Sequence, residues 1–290
     1  MENNYLYILQ VTKPSIVRIG KNGNDVSVII DDLVGVPDGI QIDRTNGLVY
    51  WTNMGVDFNK NDGTIEVAEL NGCNRRLLVG NGAITTPKQL WLDTEEELLY
   101  WCDREGGRVF RCRTDGKALT VLVERERLVD GDVNILEQCV GISIDKKSKK
   151  LYWTQKGPDN GGKGRIFRAN VDIPAGENAS KRSDIELLMC NLPEPIDLEL
   201  DETNGYLYWT DRGCYPDGNS LNRAKVGADG LTEHQILFSG FSEAIGLALD
   251  EKNNQAYISD LGGNVHQIDL TSFGHRVIYS FGMLTGIALG

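Results

Sequence analysis

The sequence predicts an all-β fold, a six-bladed β-propeller of four-stranded antiparallel blades, on three observations. A two-strand phrase recurs five times, its first strand closing on Asp43, Asp93, Asp145, Asp201 and Asp250, at steps of 50, 52, 56 and 49 residues. A repeat of that length is the period of a propeller blade. No long stretch carries a helical hydrophobic period, and 33 of the 290 residues are glycine, in keeping with many turns. The two ends of the chain supply the strands of a sixth blade, one from the C-terminus and three from the N-terminus.

The phrase reads GIQIDRTNGLVYWTN from Gly39, QLWLDTEEELLYWCD from Gln89 and GISIDKKSKKLYWTQ from Gly141. It returns as DLELDETNGYLYWTD from Asp197 and GLALDEKNNQAYISD from Gly246. Each copy gives an innermost strand, a short turn and a second strand. Third strands follow over residues 64–70, 108–112, 165–170, 220–226 and 264–268. Fourth strands follow over 76–79, 120–123, 186–189, 235–238 and 276–279. All are β-branched or aromatic runs bounded by turn residues. Residues 286–290 form a lone innermost strand, and residues 5–9, 15–19 and 27–30 are three strands that wait for one. Pairing the two ends closes the ring and hides the edges that an open sheet would expose. Residues 1–290 are therefore expected to form one propeller domain.

The aromatic pairs Tyr50-Trp51-Thr52-Asn53, Tyr152-Trp153-Thr154-Gln155 and Tyr208-Trp209-Thr210-Asp211 resemble the YWTD (class B) repeats of the low-density lipoprotein receptor family. Five spaced copies carry the resemblance over nearly the whole chain. It implies a six-bladed propeller whose motif residues bond one blade to the next. Blade two departs from the pattern with Cys102, blade five reads Tyr257-Ile258-Ser259-Asp260, and the N-terminal copy is Tyr7-Ile8-Leu9-Gln10. The receptors flank their propellers with disulfide-rich modules, which this sequence lacks, so the resemblance implies a stand-alone intracellular member and does not extend to receptor function.

The charge narrows the function classes. With 42 acidic and 30 basic residues, the formal net charge is -12. Such a surface is a poor partner for phosphate backbones and for anionic membranes, so neither nucleic acid nor membrane is expected. No apolar run approaches the ~20 residues of a membrane-spanning helix. The N-terminus has no basic and apolar leader pattern, and the six cysteines show no paired spacing, which together predict a cytoplasmic protein with free thiols.

Recurrent residues are structural by expectation: Trp51, Trp101, Trp153 and Trp209 as core between blades, and the five closing aspartates as turn acceptors. Function is expected on the rim where the lead-in to each innermost strand meets the loop between its second and third strands. Three of those loops are long and do not repeat, at residues 53–63, 156–164 and 212–219, and a further insertion covers 124–137. Asp38 and Lys88 occupy equivalent positions of adjacent blades. Asp197 and Glu199 bring charge to an innermost strand where other blades hold Gly, Gln, Ser or Ala. These four are the candidate catalytic residues. Trp91, the tryptophan outside the motif, with Gln41, Gln89, Glu194, Glu243, Cys139 and Tyr215, forms the candidate ligand-binding set.

Six-bladed calcium lactonases ring their channel with Glu, Asn and Asp. Asp38, Asp197, Glu194 and Glu243 could offer oxygens here, but Lys88 sits in the same ring and opposes a cation, so no metal and no cofactor is expected. The three histidines fall on third and fourth strands, away from that rim, which speaks against Ser-His-Asp or Cys-His chemistry. The expected function is binding of a small organic molecule at the channel mouth by an enzyme of specialised metabolism, of cyclase, isomerase or lactone hydrolase type. The alternative is a protein-binding propeller that recognises a basic peptide or partner.

Overall fold

The structure is a computed structural model that describes residues 4–125 and 133–290. Among them, six four-stranded antiparallel sheets stand around a central axis. Blade one is β4 (Pro37–Asp43), β5 (Leu48–Asn53), β6 (Thr64–Glu69) and β7 (Arg76–Val79). Blade two is β8 (Pro87–Asp93), β9 (Leu98–Asp103), β10 (Arg108–Arg113) and β11 (Thr120–Glu124). Blade three is β12 (Cys139–Asp145), β13 (Lys150–Gln155), β14 (Gly164–Asn170) and β15 (Glu186–Leu192). Blade four is β16 (Pro195–Asp201), β17 (Tyr206–Asp211), β18 (Ser220–Gly227) and β19 (Gly230–Ser239). Blade five is β20 (Ala244–Asp250), β21 (Gln255–Asp260), β22 (Asn264–Asp269) and β23 (His275–Ser280). Blade six joins β24 (Leu284–Leu289) to β1 (Tyr5–Gln10), β2 (Ser15–Gly20) and β3 (Ser27–Ile30) in the order β24-β1-β2-β3, the closure the chain ends predict.

The core lies between blades. Tyr50, Ile65 and Val67 of blade one pack on Leu90, Leu99, Trp101 and Phe110 of blade two, and each neighbouring pair repeats the arrangement. The four motif tryptophans are fully buried. The closing aspartates accept turn amides, as Asp43 does from Asn46 at 2.9 Å and Asp201 from Asn204 at 2.8 Å.

The motif threonine has a specific task. Each innermost strand loses register with its neighbour near its start, as between Pro37 and Ile40. The freed Gly39 amide donates to the Thr52 hydroxyl at 2.7 Å, and that hydroxyl donates to the Lys88 carbonyl of the next blade at 2.8 Å. Thr154 and Thr210 do the same toward Ile196 and Ile245, each at 2.7 Å. The departures from the motif keep the link: the Cys102 thiol reaches the Gly141 carbonyl at 3.2 Å, and Ser259 donates to Thr285. Four fourth strands run longer than the sequence predicts, β15 and β19 most of all, and the insertion at 124–137 lies partly outside the described residues. No helix among the described residues is long and apolar enough to cross a membrane.

Candidate functional site

The innermost strands bring the predicted charges to two levels of the channel, not to one. At the lead-in end, the Lys88 ammonium meets the Asp38 carboxylate at 2.5 Å, and Gln89 donates to the other Asp38 oxygen at 3.1 Å. Asp38 is 1% exposed and Lys88 7%. Burial pushes the Lys88 ammonium below its usual range, and the adjacent Asp38 carboxylate only partly opposes that shift. The Met54 sulfur lies 3.3 Å from the Lys88 nitrogen. Asp197 faces this group from blade four. Its two oxygens accept amides of Leu198 at 3.0 Å and Leu247 at 2.9 Å, yet burial lifts its carboxyl to about 8. Val140, Ile196 and Ile245, at the positions equivalent to Asp38 and Lys88, pack together with Leu261 as an apolar plug. The six equivalent positions at the lead-in mouth thus hold one ion pair, three aliphatic side chains and Thr285.

Gln41, Trp91 and Glu199 lie farther along. Three residues of strand span ~10 Å, so they cannot join Asp38 and Lys88 in one pocket at the lead-in mouth. This corrects the expectation of a single cluster on the rim of long loops. Gln41 and Glu199 line a cavity of about 150 Å³ at the opposite channel mouth, among Leu200, Leu249, Glu251 and Leu289 near the ends of the innermost strands. The Glu199 carboxyl is pushed well above the carboxylate range, first by burial and then by the charges of Asp197 and Glu251. Gln41 does not face Glu199 with its amide nitrogen, which donates to the Leu90 carbonyl at 3.0 Å. Trp91 packs edge-on against Tyr100, with ring centroids 5.8 Å apart, in the layer between blades two and three.

The remaining candidates disperse. Glu194 is buried among loops, held by the Arg212 guanidinium at 2.7 Å and the Lys156 ammonium at 3.6 Å, and ties the long loops of blades three and four together. Glu243 is exposed near Arg212. Cys139 is buried between blades two and three, its thiol 3.6 Å from the Glu137 carbonyl, and Tyr215 is 85% exposed on its loop. Sequence reasoning missed Glu251, whose position just after the closing Asp250 was the available signal. It also missed a bonded histidine chain in blade five: the His266 Nε2 meets Asp260 at 2.9 Å and its Nδ1 meets His275 at 2.9 Å. Asp260 ends a second strand on the lead-in side, so His266 comes closer to that rim than its third-strand position suggests. Its two nitrogens are engaged by Asp260 and His275 and by no serine or thiol. Among the described residues, no group of three His, Cys, Asp or Glu is placed to hold a metal ion.

Comparison with known proteins agrees with the motif reading. No protein-family profile matches the chain. It is 41% identical over 286 residues to a low-density lipoprotein receptor-related protein 1 of Pyricularia oryzae, covering 94% of this chain and 91% of that one. It is 40% identical over 246 residues to a 3-hydroxyacyl-CoA dehydrogenase-like protein of Cochliobolus heterostrophus, a match that spans 79% of this chain and 50% of that relative's length. Among solved structures, the nidogen/laminin complex contains a chain that superposes with a TM-score of 0.75 at 20% identity, over 98% of this chain and 97% of that one. A gluconolactonase of Xanthomonas campestris superposes at 0.65 and 14% identity, over 96% and 89%, a likeness of fold. Five motif copies, six closed blades and a relative matched over nearly its whole length place the chain in one family: it belongs to the low-density lipoprotein receptor-related YWTD β-propellers.

Proposed function

We propose that the chain is an enzyme acting on a small organic molecule at the channel mouth formed by the ends of the innermost strands, with Glu199 as its general acid. The observation that carries this reading is Glu199 itself: a carboxyl raised well above its ordinary range, with no hydrogen-bond partner among the described residues, on the wall of a cavity at the channel mouth. A carboxyl that holds its proton above the ordinary carboxylate range is suited to protonate a carbonyl or a departing hydroxyl oxygen. Glu251, on the same cavity and also raised by burial, is the second carboxyl. Asp197, farther in, adds to the shift on Glu199, and Asp38 and Lys88 in turn act on Asp197. This chemistry suits cyclisation, isomerisation, elimination of water or lactone opening. It is in keeping with the naming of one relative after a hydroxyacyl thioester enzyme and with lactonases among proteins of like fold. We place the protein in the cytoplasm, which the six unpaired thiols support.

The test uses two probes, a short 3-hydroxyacyl thioester followed by enoyl absorbance and gluconolactone followed by acid release. Turnover of either by the wild-type chain, lowered at least tenfold (about 1.4 kcal/mol) in Glu199→Gln with melting unchanged, supports the reading. An unimpaired Glu199→Gln, or no turnover of either probe, counts against it.

A second reading has its own observation. Val34, Val56, Phe58, Met283 and Tyr215 are exposed large apolar residues on the loop face, and Asp159 and Glu243 stand exposed among them, with Asp57 half-buried. That pattern suits a basic protein partner with an apolar anchor. Loss of a co-purifying partner in Tyr215→Glu, with Glu199→Gln silent, would favour it.

A further inference from the structure

In blades two and three, a phenylalanine of the third strand lies flat on the motif tryptophan. Trp101 and Phe110 have centroids 5.3 Å apart, and Trp153 and Phe167 5.4 Å. Both pairs are register partners across the second and third strands. In blade four the register partner of Trp209 is Asn222. The ring that covers Trp209 is His234, reaching over from β19 with its centroid 5.0 Å away. Replacing a phenyl by a carboxamide leaves room, and a groove of about 610 Å³ opens there. Asn222, His234, Asp217 and Ile236 of blade four line one wall, and Met189 to Pro193 of blade three line the other.

The hydrogen bonds fix which atoms face the groove as acceptors. The Ser220 hydroxyl donates to the Asp217 carbonyl at 2.6 Å, so its oxygen must accept from the Asn222 amide nitrogen at 2.9 Å. The Asn222 carbonyl oxygen therefore points at His234, and the His234 Nε2, 2.9 Å away, carries the proton. Its Nδ1 is left with an unused lone pair. Other blades close the same register position. Glu66 of blade one is taken by Arg75 at 2.7 Å, and His266 of blade five by Asp260 and His275. Blade four leaves an acceptor open, beside the exposed carboxylate of Asp217, and no Lys or Arg lines the groove.

We propose that this groove between blades three and four is a second small-molecule site, separate from the channel, that takes a phenol or comparable hydroxylated aromatic. Its volume lies in the range of small-ligand pockets. The aliphatic walls of Met189, Leu192, Pro193 and Ile236 suit a flat apolar ring. The His234 Nδ1 and the Asp217 carboxylate are two acceptors that suit a ligand supplying O–H groups, with one hydroxyl bonding the His234 Nδ1. Burial holds His234 below its usual range, with the Asp217 charge a partial opponent, a shift that favours the neutral ring and its lone pair.

The test reads alkylation of Cys190, an exposed thiol on the groove wall, by peptide mass spectrometry, with exposed Cys73 of blade one as the internal reference. 4-Propylphenol is the probe and 4-propylanisole, the same molecule without its O–H, is the matched arm. Occupancy at ten times Kd slows Cys190 labelling about tenfold and leaves Cys73 unchanged. The anisole protects far less, and His234→Phe, which restores the aromatic stack of blades two and three, abolishes protection by the phenol. Equal protection by phenol and anisole, protection that survives His234→Phe, or no protection at millimolar phenol overturns the proposal.

Discussion

The Thr285 hydroxyl donates to the Pro37 carbonyl at 2.8 Å, and so ties the last strand of the chain to the first strand of blade one. At the seam the motif threonine is absent, because the N-terminal copy offers Leu9 there, and Thr285 supplies the link from the innermost strand instead. The other side of the seam is sealed by pairing of β24 with β1, Leu6 opposite Leu289 and Ile8 opposite Ile287. Thr285→Val is expected to leave a buried carbonyl unpaired and to cost about 1–3 kcal/mol in urea unfolding. Deleting residues 285–290 exposes the edge of β1 and should abolish the cooperative transition or cause aggregation. A truncated chain that melts like the full one would remove the one-plus-three closure.

The ring closure was legible in the sequence, because alternating strands and turn residues mark each element locally. The ranges 27–30 and 76–79 match the observed β3 and β7 to the residue. The strand β19 starts earlier than its apolar run, because a two-residue turn at Ala228 and Asp229 lets pairing continue from Gly227 opposite Gly230. The site was less legible. Asp38 and Gln41 are near neighbours in sequence but lie at different depths of the channel, and strand rise separates what composition grouped. The blade-four groove has a sequence signal, Asn222 where two other blades carry Phe110 and Phe167, but only the bonds of Ser220 and His234 give it chemistry.

Stability should peak in mildly acidic solution. Asp197, Asp211 and Asp103 are raised by burial from 3.8 to about 8, about 7 and about 6. A raised carboxyl binds its proton more tightly in the folded state, so its contribution is fully present below pH 3.8 and is lost as pH rises through the folded value. Asp93, Asp184 and Asp250 go the other way. Burial would raise them, but Lys146, Arg182 and Lys21 more than offset it, so their contribution is lost as pH falls below about 4. Tm measured from pH 3 to 9 is expected to be highest near pH 5 and to decline toward pH 8. A Tm flat or rising from pH 5 to 8 would show that the three buried carboxyls are ionised in the folded protein.

Thiol accessibility should divide evenly. Cys73, Cys190 and Cys214 are exposed, while Cys102, Cys112 and Cys139 are buried in the layers between blades. Burial pushes the Cys112 thiol up to about 12 and raises that of Cys102, so neither offers a thiolate near neutral pH. A maleimide should label three sites quickly in the native protein and all six after unreduced denaturation. Two or fewer equivalents in the denatured chain would mean disulfides, and would move the protein to an oxidising compartment and toward the partner-binding reading.

The Asp38–Lys88 pair separates architecture from chemistry. Both side chains are buried, and Asp38 keeps only the Gln89 amide if its cation is removed. Lys88→Met therefore strands a carboxylate in the channel and is expected to cost about 3–5 kcal/mol, read as a lower urea midpoint at constant m. Adding Asp38→Asn to Lys88→Met removes the stranded charge, since the amide can still accept from Gln89, and most of the loss should be recovered. The expected coupling between the two sites is therefore large and of stabilising sign in a double-mutant cycle. Activity provides the second axis. A pair that only seals the lead-in mouth predicts that the double variant turns over substrate once it is folded, while Glu199→Gln does not. If Lys88→Met instead keeps the wild-type urea midpoint and loses turnover, the ammonium is solvated and acts on substrate, and the working end of the channel is the sealed one.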